Sequence, residues 1–105
     1  MIHEIELIIS CAASITFTDP LLKLINTNYF GAFRALSFAK SCSNPNLVFT
    51  HVSTAFVHAY LPMGSVIPEE ILCCDDPDVI VNELKSKDPE WVVKNTPKIL
   101  NDLGF

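Results

Sequence analysis

Two short apolar runs, residues 5–13 and 47–57, constrain most strongly how this chain can fold. Both are rich in large apolar and β-branched residues, and neither shows the strict alternation of a half-exposed strand. Runs of this kind are typical of strands that are buried on both faces, as in parallel sheets. We therefore expect two strands that need cover on both sides.

The segment between the two runs predicts a long helix. Asp19 and Pro20 form an opening signal, because Asp is a good N-cap and Pro is favoured at the first helical position. The helix is expected to stop in the turn-forming cluster 41–46. A strand, a helix and a strand with short connections predict a right-handed βαβ unit with parallel strands. The apolar positions at helical spacing are Leu22, Ile25, Tyr29, Ala32, Leu36 and Ala39.

Beyond Ala59 the pattern predicts short helices and no strand. Two further Asp-Pro pairs, at 76–77 and 88–89, repeat the opening signal, and Thr96 and Pro97 form a third start. We expect helices over 78–86, over 90–94 and from Pro97 to a C-cap at Gly104. The predicted fold class is therefore α/β, with one βαβ unit followed by short helices.

Two parallel strands cannot form a stable sheet alone, so the chain is expected to be incomplete as a domain. Of its 105 residues, 50% are hydrophobic and only 18% are charged, which is apolar for so small a domain. We expect residues 1–105 to be a fragment of a single domain whose other strands and second helix layer lie elsewhere, or a chain that needs a partner.

Charge and cysteine content exclude some classes of function. The net charge of −5, without a Lys/Arg cluster, argues against binding to nucleic acid or to an anionic membrane surface. The four cysteines show neither a Cys-x-x-Cys pair nor a disulfide-like spacing, which predicts a reduced, intracellular setting. No apolar run approaches the ~18 residues that span a bilayer, and the first residues carry no basic segment typical of a signal peptide.

Small and hydroxylic residues close the two predicted strands, where ligands bind in doubly wound sheets. Ser53 and Thr54 follow the second strand; a hydroxyl there can bind a substrate carbonyl, although capping a backbone group is the commoner role. Small residues end the first strand at Cys11–Ala13, which suits either a flat ligand or ordinary packing. Asn28 lies within the predicted helix, where it is either solvated or bonded to water or backbone.

The histidines and glycines point to no further site. His51 and His58 fall on opposite sides of a regular strand and no third ligand is suitably spaced, so no metal site is predicted. The acidic positions from 69 to 78 are most simply a solvated face. The three glycines, Gly31, Gly64 and Gly104, are too far apart to form a dinucleotide-binding turn.

Four segments together resemble the fatty acyl-CoA reductase family, the male-sterility type of extended short-chain dehydrogenase/reductase. They are CAASITF from Cys11, the Asn28-x-x-Gly31 motif, FTHVSTAFV from Phe49, and NTPKIL from Asn95. The resemblance covers about residues 5–105. It implies a partial Rossmann-type fold, NADPH as cofactor, and reduction of a long-chain acyl-CoA to a fatty alcohol. For the intact enzyme it also implies association with a peroxisomal or endoplasmic-reticulum membrane.

The resemblance also implies roles for individual residues. Ala12 and Ala13, with Cys11 beside them, match residues that line the cofactor near its adenosine. Asn28 matches a helix asparagine that supports the active-site water and lysine beside the cofactor. Thr54, with Ser53 beside it, matches the catalytic hydroxyl that binds the carbonyl oxygen, where hydride arrival builds negative charge.

The chain departs from the family at one point that matters for catalysis. The family's Tyr-x-x-x-Lys pair is absent, since Tyr29 is followed by Phe33 and Tyr60 by Gly64. We therefore expect a fragment that is inactive alone and lacks both the Gly-rich half and the Tyr/Lys part of the domain. Two other interpretations stay open: the thioester-reductase domain of a polyketide or peptide synthase, and a non-enzymatic binding protein derived from the fold.

Overall fold

The structure is a computed structural model that describes residues 2–70 and 76–102. The chain divides into two compact units, Met1–Ser53 and Thr54–Phe105. The predicted C-cap at Gly104 lies outside the described residues. So do Asp75, one of the acidic positions between 69 and 78, and the neighbouring Cys73 and Cys74.

The first unit is a strand–helix–strand unit with parallel strands. Its elements are β1 (Leu7–Ser10), α1 (Leu21–Leu24), a π-helical turn (Ile25–Tyr29), α2 (Phe30–Ser41) and β2 (Val48–His51). The strands pair in parallel, and the register aligns Leu7 with Val48 and Ser10 with His51. The predicted parallel pair is confirmed, although each strand has four residues and is shorter than the apolar run that contains it.

The helix covers one face of this sheet and leaves the other exposed. Ile8 and Phe49, which are aligned in the register, are half-buried, and α2 contacts both strands. Leu7, Ile9 and Val48 point to the opposite face by alternation and are 54%, 57% and 55% exposed. The described residues therefore provide a helix layer on one side only, and burial of both faces within a larger domain stays a prediction.

The long helix begins one residue later than its opening signal predicts. Pro20 is the N-cap with extended backbone (φ −55°, ψ 137°), and no side chain caps the helix. Asp19 instead forms an ion pair of 2.9 Å with Lys23, one turn into the helix. The other oxygen, Oδ2, accepts a hydrogen bond from the Ser14 hydroxyl at 3.3 Å, so side chains rather than helix amides occupy both carboxylate oxygens.

The second unit contains a short 3₁₀ helix (Ala55–His58) and two α-helices, α3 (Pro77–Ser86) and α4 (Pro89–Asp102). The 3₁₀ helix lies within the predicted second strand, which therefore ends earlier than residue 57. Asp76 accepts a hydrogen bond from the Asp78 amide at 3.0 Å, and Asp88 caps α4 in the same way. Among the described residues of this unit, the buried side chains are Val81, Leu84 and Val92.

Helix α4 is continuous through Pro97, where the sequence predicts a break between two helices. Proline cannot donate the bond to the carbonyl four residues earlier. Thr96 and Asn95 donate side-chain hydrogen bonds of 2.8 Å to the carbonyls of Val92 and Trp91 in the preceding turn. Across the described residues, no helix is long and apolar enough to cross a membrane.

Candidate functional site

An open groove of about 630 Å³ lies at the carboxyl end of β1 in the first unit. Its wall on the sheet side includes Cys11, Ala12 and Ala13, the three residues that the sequence singles out. Their side chains are small, so much of this wall is backbone. A flat ligand could therefore approach main-chain donors and acceptors directly.

The helix contributes three small residues to the same groove. Thr27, Gly31 and Ala35 lie four residues apart and therefore on one helix face. A Cβ placed on Gly31 would meet no atom within 4 Å, so the space in front of this position is open. The sequence analysis identified Gly31 in a motif but did not predict Thr27 and Ala35 as groove residues. The spacing of four residues from each of them to Gly31 was the signal that all three lie on one helix face.

Asn28 holds the loop that follows Ala13. Its Oδ1 accepts a hydrogen bond from the Ser14 amide at 2.8 Å, and its Nδ2 donates one to the Ser14 carbonyl at 3.0 Å. The side-chain amide thus pairs with the backbone of one residue through both of its ends. Asn28 lies in the π-helical turn, a geometry that occurs frequently at functional sites.

Ser14 continues this contact toward the start of the helix. Its hydroxyl donates a hydrogen bond to Asp19 Oδ2 at 3.3 Å, and Asp19 Oδ1 accepts one from Lys23 Nζ at 2.9 Å. The Lys23 ammonium, helped by the Ser14 hydroxyl, holds the pKa of Asp19 below its ordinary value. The loop after β1 is therefore fixed at Ser14 and at Asp19.

The carboxyl end of β2 lies beside that of β1. The Val52 amide donates to the Ser10 carbonyl at 2.9 Å, and His51 Nδ1 lies 3.3 Å from the Ser10 hydroxyl oxygen. Ser53 follows directly, is exposed, and is the last residue of the first unit. The predicted residues Cys11 and Ser53 therefore follow the same edge of the sheet.

Thr54 opens the second unit and caps its 3₁₀ helix. Its Oγ1 accepts a hydrogen bond from the Phe56 amide at 3.2 Å. This is the backbone-capping role that the sequence favoured for a hydroxyl here. Because the oxygen acts as acceptor in this bond, the hydroxyl proton remains available for donation to another acceptor, such as a carbonyl oxygen.

The two candidate histidines do not form a metal site with other ligands. His51 is engaged with Ser10, and the ring of His58 lies 6.3 Å from that of Tyr60. Within residues 2–70 and 76–102, no group of three or more His, Cys, Asp or Glu side chains is placed to hold a metal ion.

The groove has the size and position of a ligand site. Its volume lies in the range of small-molecule sites, its wall includes the small residues Cys11, Ala12 and Ala13, and it lies at the carboxyl end of a parallel strand. The parallel βαβ unit and this groove define part of a Rossmann-type α/β domain.

The chain belongs to the male sterility protein family, whose NAD-binding domain model matches residues 1–98. Fatty acyl-CoA reductase 1 of Gallus gallus is 32% identical over 104 residues, which are 97% of this chain and 19% of that protein. Probable fatty acyl-CoA reductase 5 of Arabidopsis thaliana is 37% identical over 70 residues, 67% of this chain and 14% of that protein.

A third relative matches a shorter part of the chain. The alcohol-forming fatty acyl-CoA reductase of Simmondsia chinensis is 40% identical over 57 residues, 54% of this chain and 11% of that protein. The chain thus spans at most about a fifth of the length of these relatives. No solved structure matches the chain. The predicted family is confirmed.

Proposed function

We propose that this chain is part of a reductase domain that reduces a long-chain acyl-CoA to a fatty alcohol with NADPH. The observation that carries the proposal is the similarity to a fatty acyl-CoA reductase over 97% of the chain. The name of the Simmondsia relative, an alcohol-forming enzyme, supports the alcohol as product. In this proposal residues 1–105 supply one βαβ unit and two further helices of a larger domain.

The groove residues have a binding role in this proposal. Cys11, Ala12 and Ala13 would hold the cofactor, which supplies hydride when it is bound. Asn28 fixes the Ser14 backbone at the end of this wall, so the wall is rigid before any ligand arrives. Such preorganisation lowers the entropic cost of binding.

Thr54 has the catalytic role in this proposal. Its hydroxyl donates a hydrogen bond to the carbonyl oxygen of the thioester and stabilises the negative charge that develops there. The bond that Thr54 Oγ1 accepts from the Phe56 amide orients the hydroxyl. Ser53, directly before it, would assist as a second donor.

A chimaera tests the proposal in an intact reductase. The chain would replace the aligned segment of the Gallus gallus relative, to which it aligns over 104 residues. We expect the chimaera to oxidise NADPH when palmitoyl-CoA is added and to release hexadecanol. The Thr54→Val variant should lose activity by about 10²–10⁴-fold, while Thr54→Ser retains most of it.

Three controls make this result specific. Thr50→Val changes the same side chain on β2, outside the groove residues, and should leave kcat within about twofold, as expected for a substitution away from the site. Assays with NADH in place of NADPH check that the segment exchange leaves the relative's own cofactor preference unchanged. The 105-residue chain alone should neither bind NADPH tightly nor oxidise it. A folded chimaera without activity, or a fully active Thr54→Val variant, would contradict the proposal.

A further inference from the structure

The second unit begins with a run of residues that carries no formal charge. From Ala55 to Pro68 the sequence contains no Asp, Glu, Lys or Arg. Large apolar side chains in this run are exposed, and few of the residues that the structure describes are buried. The most exposed are Phe56, Tyr60, Met63, Val66 and Ile67. Exposed apolar surface of this extent marks a binding surface in a soluble domain.

The run starts directly at the candidate catalytic hydroxyl. Thr54 caps the 3₁₀ helix Ala55–His58 by accepting the bond from the Phe56 amide, so the first exposed aromatic residue is held two residues from Thr54. In an acyl thioester the hydrocarbon chain begins at the carbonyl carbon. A surface that receives this hydrocarbon must therefore begin beside the group that binds the carbonyl oxygen.

An open surface depression of about 530 Å³ lies at the far end of the run. His58, Ile67 and Pro68 line it together with two carboxylates, Glu69 and Glu70. Its volume lies within the range of small-molecule sites. Two adjacent carboxylates repel the anionic surface of a cytoplasmic membrane leaflet. Charge therefore favours a single hydrocarbon chain over a lipid bilayer as the occupant.

We propose that the uncharged run from Ala55 to Pro68 forms part of the wall that binds the acyl chain of the thioester substrate. The identity of the substrate rests on the function proposed above. The role of the run follows from its lack of charge, its exposed apolar side chains and its start at Thr54. Phe56 and Met63 are the residues expected to contribute most apolar contact area.

Photo-crosslinking tests this assignment on the folded chimaera described above. The probe is palmitoyl-CoA with a diazirine near the end of its acyl chain, used below its micelle concentration. We expect the label to lie within residues 55–68, located by mass spectrometry of peptides. Unlabelled palmitoyl-CoA should compete and free CoA should not. The Phe56→Ser/Met63→Ser double variant should lower labelling by about tenfold, given the apolar area that it removes.

A matched variant controls for non-specific attraction to apolar surface. Val79→Ser/Val93→Ser removes two exposed apolar side chains from α3 and α4, and labelling of residues 55–68 should not change. Label spread equally over the exposed apolar residues of both units would overturn the proposal. Equal labelling of 55–68 by a diazirine phospholipid in phosphatidylcholine vesicles would also overturn it, in favour of a membrane surface.

The outcome is separable from that of the proposed reaction, because labelling needs neither cofactor nor hydride transfer. Labelling at 55–68 with an inactive chimaera would refute the reductase and retain the acyl site. An active chimaera whose acyl probe labels other segments would refute the acyl site and retain the reductase.

Discussion

Asn28 joins two parts of the first unit that are distant in sequence. Its amide group pairs with both backbone groups of Ser14, fourteen residues earlier. A half-buried hydrogen bond contributes about 0.5–1.5 kcal/mol, and a buried partner left unpaired costs about 1–3 kcal/mol. We expect Asn28→Ala to lower the free energy of unfolding by about 1–3 kcal/mol, measured by urea denaturation with circular dichroism.

A neighbouring asparagine provides the control for this substitution. Asn26 lies in the same π-helical turn, is exposed, and accepts a hydrogen bond of 2.8 Å from Arg34. Because water can replace an exposed bond of this kind, Asn26→Ala should cost less than about 0.5 kcal/mol. Equal effects of the two substitutions would mean that the pairing with Ser14 contributes nothing specific.

The ionisation of Asp19 makes the free energy of unfolding of the first unit vary with pH in the acid range. The Lys23 ammonium holds the pKa of Asp19 below its ordinary value of 3.8, so the folded state prefers the ionised form. The stabilisation is present above pH 3.8 and is lost as the pH falls through the lowered pKa.

Urea midpoints measured across this pH range test the coupling. The difference between the native chain and Asp19→Asn should shrink as the pH falls below 3.8. Lys23→Met, which removes the principal cause of the lowered pKa, should flatten the native profile in the same range. Glu4→Gln, at an exposed carboxylate outside this network, is the control and should keep the profile. A native profile identical to that of Asp19→Asn would contradict the coupling.

At the scale of elements, α4 depends on its N-cap. Asp88 Oδ1 accepts hydrogen bonds from the amides of Glu90 at 2.9 Å and Trp91 at 3.1 Å, which satisfies two of the donors that a helix start leaves free. Asp88→Ala should destabilise the second unit by about 0.5–2 kcal/mol. Asp102→Ala, at the opposite helix end, should be neutral or slightly stabilising, since a carboxylate there opposes the helix dipole. Thermal unfolding midpoints that fall equally for both variants would refute this.

Local signals explain which elements the sequence predicts. The Asp-Pro pairs predict the starts of α3 and α4 because the cap bonds of Asp76 and Asp88 span only two or three residues. The parallel pair is also predictable. The helix between the two strands carries the chain back along the sheet, so the second strand starts at the same end as the first and runs parallel to it. The groove residues at Cys11–Ala13 follow from the same topology.

Features that depend on distant contacts escape such signals. The π-helical turn forms where Asn28 reaches the backbone of Ser14, a contact between segments that propensity does not record. At Asp19 the local signal predicts an N-cap, but Lys23 takes the carboxylate. At Pro97 helix propensity predicts a break, yet the helix continues with side-chain bonds in the preceding turn. At Asn28 and Asp19 a specific partner overrides an average preference. At Pro97 the bonds go to the carbonyls of Trp91 and Val92, not to that of Val93, which loses its amide donor to the proline.

At the scale of the whole molecule, the uncovered sheet face should control association of the isolated chain. Leu7, Ile9 and Val48 are more than half exposed on one face, and each strand of the two-stranded sheet has an unpaired edge in the part of the chain that the structure describes. Exposed edges and apolar faces of this kind promote association between chains. We expect the isolated chain to form oligomers or aggregates in sedimentation velocity experiments at micromolar concentration.

Charge placed on that face should reduce the association. Ile9→Lys/Val48→Lys puts two ammonium groups on the uncovered face without touching the face that packs against α2, and the monomer fraction should rise. Val79→Lys/Val93→Lys adds the same charge to exposed positions of α3 and α4, and controls for the effect of net charge alone. If the sheet face drives association, the first variant should be more monomeric than the second. An equal rise in the monomer fraction for both variants would assign the effect to net charge. A native chain that is monomeric and melts cooperatively would show that the first unit is stable with one sheet face exposed.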